Sequence, residues 1–300
     1  MDRDSPLLGI TLMLGFCILA PLADATAKLI GAAIPLGQLV LVRFAIQALI
    51  LWPLFRRGGH RLSLPPRLFG RILWRTLLQV AGIATMVFAL RHLPLADAIA
   101  IAYVMPFFML LLGRFVLQEQ VGSRRLVACI VGFAGTLMVV QPAFAQLGWV
   151  ALLPLLVAVE FALFILVTRQ ISREIAPIPL QAITGLLGTA LLFPVILLAE
   201  GSGIAELDPV EPTLREGLLL VALGILGTLS HLLMTWALRF APAATLAPMQ
   251  YLEIPFGALF GWLIFAQFPN GLALAGICVV MLSGLYIIWR ERMASRAPAR

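Results

Sequence analysis

Charge is what this chain has least of. Only 12% of its 300 residues are Asp, Glu, Lys or Arg, and a single lysine, Lys28, accompanies twenty arginines. A soluble domain carries about 25% charged and 45–50% apolar residues. Here 62% are hydrophobic and the mean hydropathy is +1.04, which excludes a soluble globular chain and a disordered one. The net charge of +7 does not make a nucleic-acid face, because the arginines are scattered through short connections instead of clustered. Cysteine is equally scarce. Cys17, Cys129 and Cys278 lie inside apolar runs and are odd in number, so neither a disulfide framework nor a CxxC metal site is available. His60, His92 and His231 are isolated and none precedes a glutamate, so the HExxH pattern of a zinc protease is missing. Gly201-Ser202-Gly203 stands in a polar connection, where an intramembrane serine nucleophile would be of no use. With no Walker sequence either, the expectation is no catalytic residue, no metal, no cofactor and no nucleic acid. Channel and intramembrane enzyme remain the alternatives to a carrier, but a channel would normally show polar rings or a filter sequence.

What the chain does have is long apolar runs. A membrane-crossing helix needs about 20 of them in sequence, and ten stretches qualify: 8–30, 36–55, 72–91, 95–117, 125–141, 148–168, 177–199, 214–237, 243–265 and 271–289. The opening run reads as a span, not a cleaved signal, because Met1-Asp2-Arg3-Asp4 lacks a basic flank. Arginine accumulates at cytoplasmic helix ends. With the N-terminus inside, the inner side holds Arg3, Arg56, Arg57, Arg61, Arg67, Arg71, Arg75, Arg114, Arg124, Arg125, Arg169, Arg173, Arg239, Arg290, Arg292, Arg296 and Arg300, and the outer side only Arg91 and Arg215. The expected placement is a multi-pass protein of the inner membrane with both termini in the cytoplasm. Glu200, Glu206, Asp208, Glu211 and Glu216 fall at the outer end.

The sequence also repeats itself. At an offset of 148, Ala89-Leu90-Arg91 aligns with Ala237-Leu238-Arg239, Pro94 with Pro242, Ala96 with Ala244 and Tyr103 with Tyr251. At 149, Pro106-Phe107 aligns with Pro255-Phe256, Gly122 with Gly271, Cys129 with Cys278 and Gly135 with Gly284. Five spans per repeat force the second copy to start from the opposite face. The fold class expected is therefore all-α and integral to the membrane, ten transmembrane helices as two inverted five-helix repeats, 8–141 and 148–289, followed by a basic cytoplasmic tail, 290–300. Such inverted repeats recur in secondary transporters, with the site near the midplane.

The ten spans in two repeats, the Ala-Leu-Arg-x-x-Pro sequences at 89–94 and 237–242, and the two Pro-Phe pairs resemble the drug/metabolite transporter superfamily, EamA type. The resemblance covers roughly 9–140 and 148–289. It implies an inner-membrane carrier with a central cavity lined mainly by spans 1, 3, 4, 6, 8 and 9. Members that resemble this chain carry amino acids, S-adenosylmethionine, riboflavin or opine-type metallophores.

Ionisable side chains at membrane depth are expensive, so they face a cavity or a partner. Glu160 lies mid-span in the sixth run and Glu253 in the ninth, neither with a basic residue within a turn; they suit a proton carrier, or a structural carboxyl bonded to a neighbouring helix. His231 reads as a site residue or as a hydrogen-bonded packing residue. Tyr103 and Tyr251 occupy equivalent repeat positions and can stack on a substrate or fill the core. Gln79 and Gln250 are polar at mid-depth, for substrate or for helix-to-helix bonding. Asp24, Lys28 and Arg43 form a second group toward the outer face, either a gate and carboxylate clamp or a pairing of Asp24 with Arg43 beside a snorkelling Lys28. Pro21, Pro106, Pro154, Pro194, Pro248 and Pro255 interrupt spans, and Pro248 and Pro255 bracket Tyr251 and Glu253, making the ninth span the one expected to bend toward substrate. The inventory points to a small amphoteric metabolite as partner, such as an amino-acid derivative or opine-type metallophore, exported in exchange for protons. Import of S-adenosylmethionine or riboflavin is the alternative.

Overall fold

The structure, a computed structural model, describes residues 6–59, 64–105, 107–108, 111–112, 116, 123–172, 174–241 and 246–296. Arg3, His60, Arg61, Pro106, Arg114, Gly122, Arg173, Pro242, Ala244 and Arg300 of the sequence reading lie outside these residues. Among the described residues there are ten α-helices and no strand: α1 Pro6–Ile30, α2 Leu36–Arg57, α3 Pro66–Leu90, α4 Leu95–Ala102, α5 Ser123–Leu147, α6 Leu153–Ile171, α7 Pro177–Ala199, α8 Leu214–Phe240, α9 Glu253–Phe265 and α10 Gly271–Arg296. Short 3-10 turns, Gly148–Leu152 and Ala247–Leu252, lead into α6 and α9. The chain is an all-helical, two-repeat membrane bundle.

Six spans, Leu8–Ile30, Leu36–Arg57, Pro66–Leu90, Gly148–Ile171, Pro177–Ala199 and Leu214–Phe240, are each long and apolar enough to cross a bilayer. The shorter apolar stretches among the described residues are Ile130–Val139, Glu253–Phe265 and Gly271–Ser283. The bundle exterior is apolar as well. Leu198 is 85% and Leu49 72% exposed, an arrangement that suits lipid and would be costly in water. Helix ends follow local chemistry. Pro66 and Pro177 open α3 and α7 at a position where a missing N–H costs nothing. Thr213 and Glu216 close a reciprocal capping box on α8, the Thr213 N–H donating to Glu216 Oε2 at 2.7 Å and the Glu216 N–H to Thr213 Oγ1 at 3.4 Å.

Packing between the halves is symmetric. Helix α1 packs on α8 and α3 on α6, which are the same contact once the repeats are exchanged, while α2 packs on α7, α4 on α9 and α5 on α10, each on its own counterpart. Glycines set the closest approaches. A Cβ on Gly276 would stand 2.5 Å from the Gly135 carbonyl oxygen, and one on Gly185 2.7 Å from the Ala48 nitrogen, so α5–α10 and α2–α7 meet backbone to backbone, the small-residue packing of membrane interiors.

Spans four and nine are broken at equivalent places. Helix α4 ends at Ala102 with Tyr103 as its C-cap, and the 3-10 turn carrying Tyr251 gives way to α9 at Glu253. The ninth span, expected to bend, changes there from 3-10 to α helix, and the fourth is interrupted at the equivalent place. Several helices run past their apolar stretches, α5 for example to Leu147, six residues beyond its run. Helix α3 begins at Pro66, six residues before its run, and α10 continues to Arg296, so part of the basic tail is helical. Hydrogen-bonded helices extend past the hydrocarbon, and hydropathy marks only their greasy part.

Candidate functional site

The interruptions in spans four and nine border a central cavity. It encloses about 740 Å³ of space between atoms, its open mouth included, and is lined from seven elements. Helix α1 supplies Phe16, Ala20 and Asp24 at four-residue spacing along one face, and α3 supplies Gly82, Ile83 and Met86. Span four adds Ile99, Ala102, Tyr103 and Met105, α6 adds Val157, Ala158 and Phe161, α8 adds Ser230 and His231, and α9 adds Glu253. These are the six spans implied by the resemblance. Helix α2 joins them through one residue, Arg43.

Arg43 enters because the opposing helix lacks a side chain. A Cβ on Gly227 of α8 would lie 2.6 Å from Arg43 Nε and 2.8 Å from Cζ, so the guanidinium lies flat over that glycine. Asp24 acts on Arg43 electrostatically, but the two do not form an ion pair of the kind that joins Arg71 to Glu174 and Arg91 to Glu206. A buried cation (6% exposed) therefore faces the cavity beside a carboxyl that does not clasp it. At the far wall Glu253 and Tyr103 interact side chain to side chain, and the Tyr103 ring meets Tyr251 at 5.8 Å between centroids, inclined by 47°. The repeat-related tyrosines thus touch across the junction of the halves. His231 is walled by aromatic rings, with Phe16 at 6.3 Å, Phe161 at 6.0 Å and Phe164 at 5.8 Å, the last edge-on. Its Nδ1 is buried without a hydrogen-bond partner.

Asp24, Arg43, Tyr103, His231 and Glu253 are thereby brought to one cavity, and the other nominated residues stand outside its wall. Glu160 lies at the α3–α6 seam behind Gly82, accepting from Thr85 Oγ1 at 3.5 Å. Gln79, 1% exposed, has neither amide atom bonded. Gln250 is buried in the 3-10 turn before α9. Lys28 turns away from Asp24 and donates to the carbonyls of Leu90 (2.7 Å) and Leu93, closing the C-terminal end of α3, with the Phe265 ring 5.6 Å away. Asp24, Lys28 and Arg43 do not form one cluster.

Sequence reasoning missed three features. Asp97, 9% exposed with Oδ1 unpartnered, stands close enough to Lys28 to act on it electrostatically. Gln47 Nε2 donates to Gln181 Oε1 at 3.0 Å, and Gln181 Nε2 donates to Thr235 Oγ1 at 2.7 Å and to the His231 carbonyl at 3.1 Å. Arg75, counted with the cytoplasmic arginines, is wholly buried inside the bundle. Its spacing of four from Gln79 was the available signal. No group of three or more His, Cys, Asp or Glu able to hold a metal occurs among the described residues.

Comparison with known proteins bears on what such a cavity does. The EamA-like transporter family matches residues 7–141 and again 148–290. A riboflavin transporter of Rhizobium johnstonii is 33% identical over 76% of this chain and 73% of its own length. A pseudopaline exporter, CntI, of Pseudomonas aeruginosa is 29% identical over 87% of this chain and 88% of its own. An S-adenosylmethionine uptake transporter of Rickettsia bellii is 28% identical over 90% of both. A solved crystal structure, 22% identical, superposes with a TM-score of 0.69 over 99% of this chain and 100% of that one.

Proposed function

The chain belongs to the EamA-like transporter family, and on that premise we propose that it is an inner-membrane secondary carrier of a small amphoteric metabolite, an amino-acid derivative or opine-type metallophore, working by alternating access with proton exchange. One observation carries the reading: a buried arginine, Arg43, shares a cavity with two carboxyl side chains, Asp24 and Glu253, between aromatic walls. A cation fits a cargo carboxylate, the acids fit a cargo amine, and Phe16, Phe161 and Tyr103 fit its apolar part. Glu253 is the proposed proton carrier, exchanging its proton for the cargo amine as the cavity changes sides, and Glu160 is the reserve for that role. Export follows the relative named as an exporter.

Import of riboflavin is the second reading. It is favoured by relatives named riboflavin transporters and by the aromatic cavity walls, on which a flat heterocycle would stack. Reconstituted vesicles separate the two. A proton gradient of either sign is imposed and labelled amino acids, an opine metallophore, S-adenosylmethionine and riboflavin are followed. Flux of the amphoteric compounds that reverses with the gradient supports the first reading. Riboflavin flux alone supports the second, and flux indifferent to the gradient removes the coupling.

A further inference from the structure

Below the cavity floor, toward the end that carries both termini, a cation is buried with no counter-charge. Arg75 is 0% exposed. Its Nε donates to Thr168 Oγ1 at 2.7 Å and its Nη1 to Thr184 Oγ1 at 2.8 Å, while Nη2 has no partner. No carboxylate is paired with it among the described residues. The Phe164 ring lies 4.3 Å from the guanidinium carbon, and the same ring stands edge-on to His231, a cavity-lining residue. One aromatic ring therefore separates Arg75 from the cavity.

Helix α3 joins the two levels. Arg75, Gln79, Ile83 and Met86 follow one another at steps of four, four and three, which is a single stripe on a helix. Its upper members line the cavity. Its lower members hold unspent hydrogen-bonding groups, both amide atoms of Gln79 and Nη2 of Arg75, and Nδ1 of His231 on α8 is likewise buried without a partner. If Arg75 served only to tie α3 to α6 and α7, a neutral donor would reach both threonine hydroxyls without a buried charge. An unpaired cation with an unspent N–H, beside an amide that can turn its own N–H to the same place and continuous with a cavity, describes an anion site that is closed in this conformation.

We propose that Arg75, with Gln79 and His231, is a second oxyanion-binding station on the transport path, taking the cargo carboxylate after Arg43 releases it when the bundle opens toward the terminus-bearing end. The proposal rests on the reading of the cargo as a carboxylate-bearing amphoteric molecule. Phe164 is then the partition that leaves when the lower level opens. A neutral cargo such as a sugar has no use for this station.

The test needs no cargo. In the full chain with Cys17, Cys129 and Cys278 replaced by serine, Gln79→Cys is treated with two membrane-impermeant methanethiosulfonates, one carrying a sulfonate and one a trimethylammonium, added to either face of oriented vesicles. Rates are normalised to those of free cysteine in solution. A focused positive field raises the local concentration of anions about tenfold or more, so the normalised ratio of anionic to cationic modification is expected to exceed unity by that factor, from the terminus-bearing face. Arg75→Gln in the same background should bring the ratio to near unity, and Arg75→Lys should retain most of it. Thr184→Cys repeats the measurement from α7 if Gln79→Cys does not fold. Failure of both cysteines to react from either face would make this layer plain packing, and a ratio unaffected by Arg75→Gln would remove the anion site. Either result stands whatever the vesicle panel shows about cargo, and absence of amphoteric flux would leave the labelling result intact.

Discussion

Arg43 owes its position to Gly227, and that dependence gives the sharpest residue-level expectation. Gly227→Ala puts a methyl group 2.6 Å from the position of Arg43 Nε, which the guanidinium can relieve only by leaving the glycine surface. Cargo KM is expected to rise in vesicle flux assays while the protein still folds. Arg43→Gln should act more strongly, because a charge-assisted hydrogen bond contributes about 1.5–3 kcal/mol, corresponding to roughly a tenfold to hundredfold weaker cargo affinity. Normal KM in both variants would remove Arg43 from the site. Glu253→Gln keeps the shape and the contact with Tyr103 while removing titration, so flux down a cargo gradient should persist and its response to an imposed proton gradient should vanish. Glu160→Gln, behind Gly82, should leave that response in place. The cavity members Glu253, Tyr103 and His231 were legible because each interrupts an apolar run. Arg75 was not, because an arginine near the beginning of a hydrophobic run looks like a topology signal, and only α6 and α7 closing over it turn it into a buried charge.

Helices in this bundle are positioned by what they lack as much as by what they carry. Gly185 rests on the Ala48 backbone, Gly188 on the Phe44 ring and Gly224 on Ile46, so α2 is held between α7 and α8 by three absences of side chain and presents Arg43 inward. Gly135 and Gly276 do the same for α5 and α10. Because the obstruction at Gly185 and Gly276 is backbone, a methyl group there forces whole helices apart. Gly185→Ala and Gly276→Ala should each destabilise the protein by about 1–3 kcal/mol, seen as a lower unfolding temperature in detergent, with Gly217→Ala, where nothing lies within 4 Å, as the silent control. Equal unfolding temperatures would show that the helices have slack at these crossings. Most spans were legible from apolar length, and the interruption before α9 from Pro248 and Pro255. The matching break at Tyr103 was marked only by Pro106, since Ala100 stands where the second repeat has Pro248, and a helix end at a buried aromatic depends on the neighbours that receive it.

At the scale of the whole molecule, two ion pairs fix which connections share an end. Arg91 meets Glu206 at 2.6 Å and also donates to the Ile34 carbonyl at 2.7 Å, joining the loops after α1, α3 and α7. Arg71 meets Glu174 at 3.0 Å, joining the second turn of α3 to the connection after α6. These ends are opposite, since α3 runs between Arg71 and Arg91. Arg91, an outlier in the arginine count, is thus matched by an acid of the loop assigned to its own side, and the bias that orients the chain rests on the remaining arginines. The expected orientation puts the Glu206 loop outside the cell. In a chain without its three cysteines, Ser202→Cys should be labelled by an impermeant maleimide in intact cells and Arg57→Cys only after permeabilisation. The reverse pattern would invert the orientation and exchange the faces between which cargo moves. The same assay identifies the state of the carrier. The cavity reaches Met86, one turn from the α3 end near Arg91, while Arg75, Phe164 and the Gln47–Gln181–Thr235 chain fill the bundle on the other side. Met86→Cys should accordingly react from the same face as Ser202→Cys, and more slowly when transported cargo is present. Modification of Met86→Cys from the Arg57 face alone would mean that the Arg75 layer is the open end.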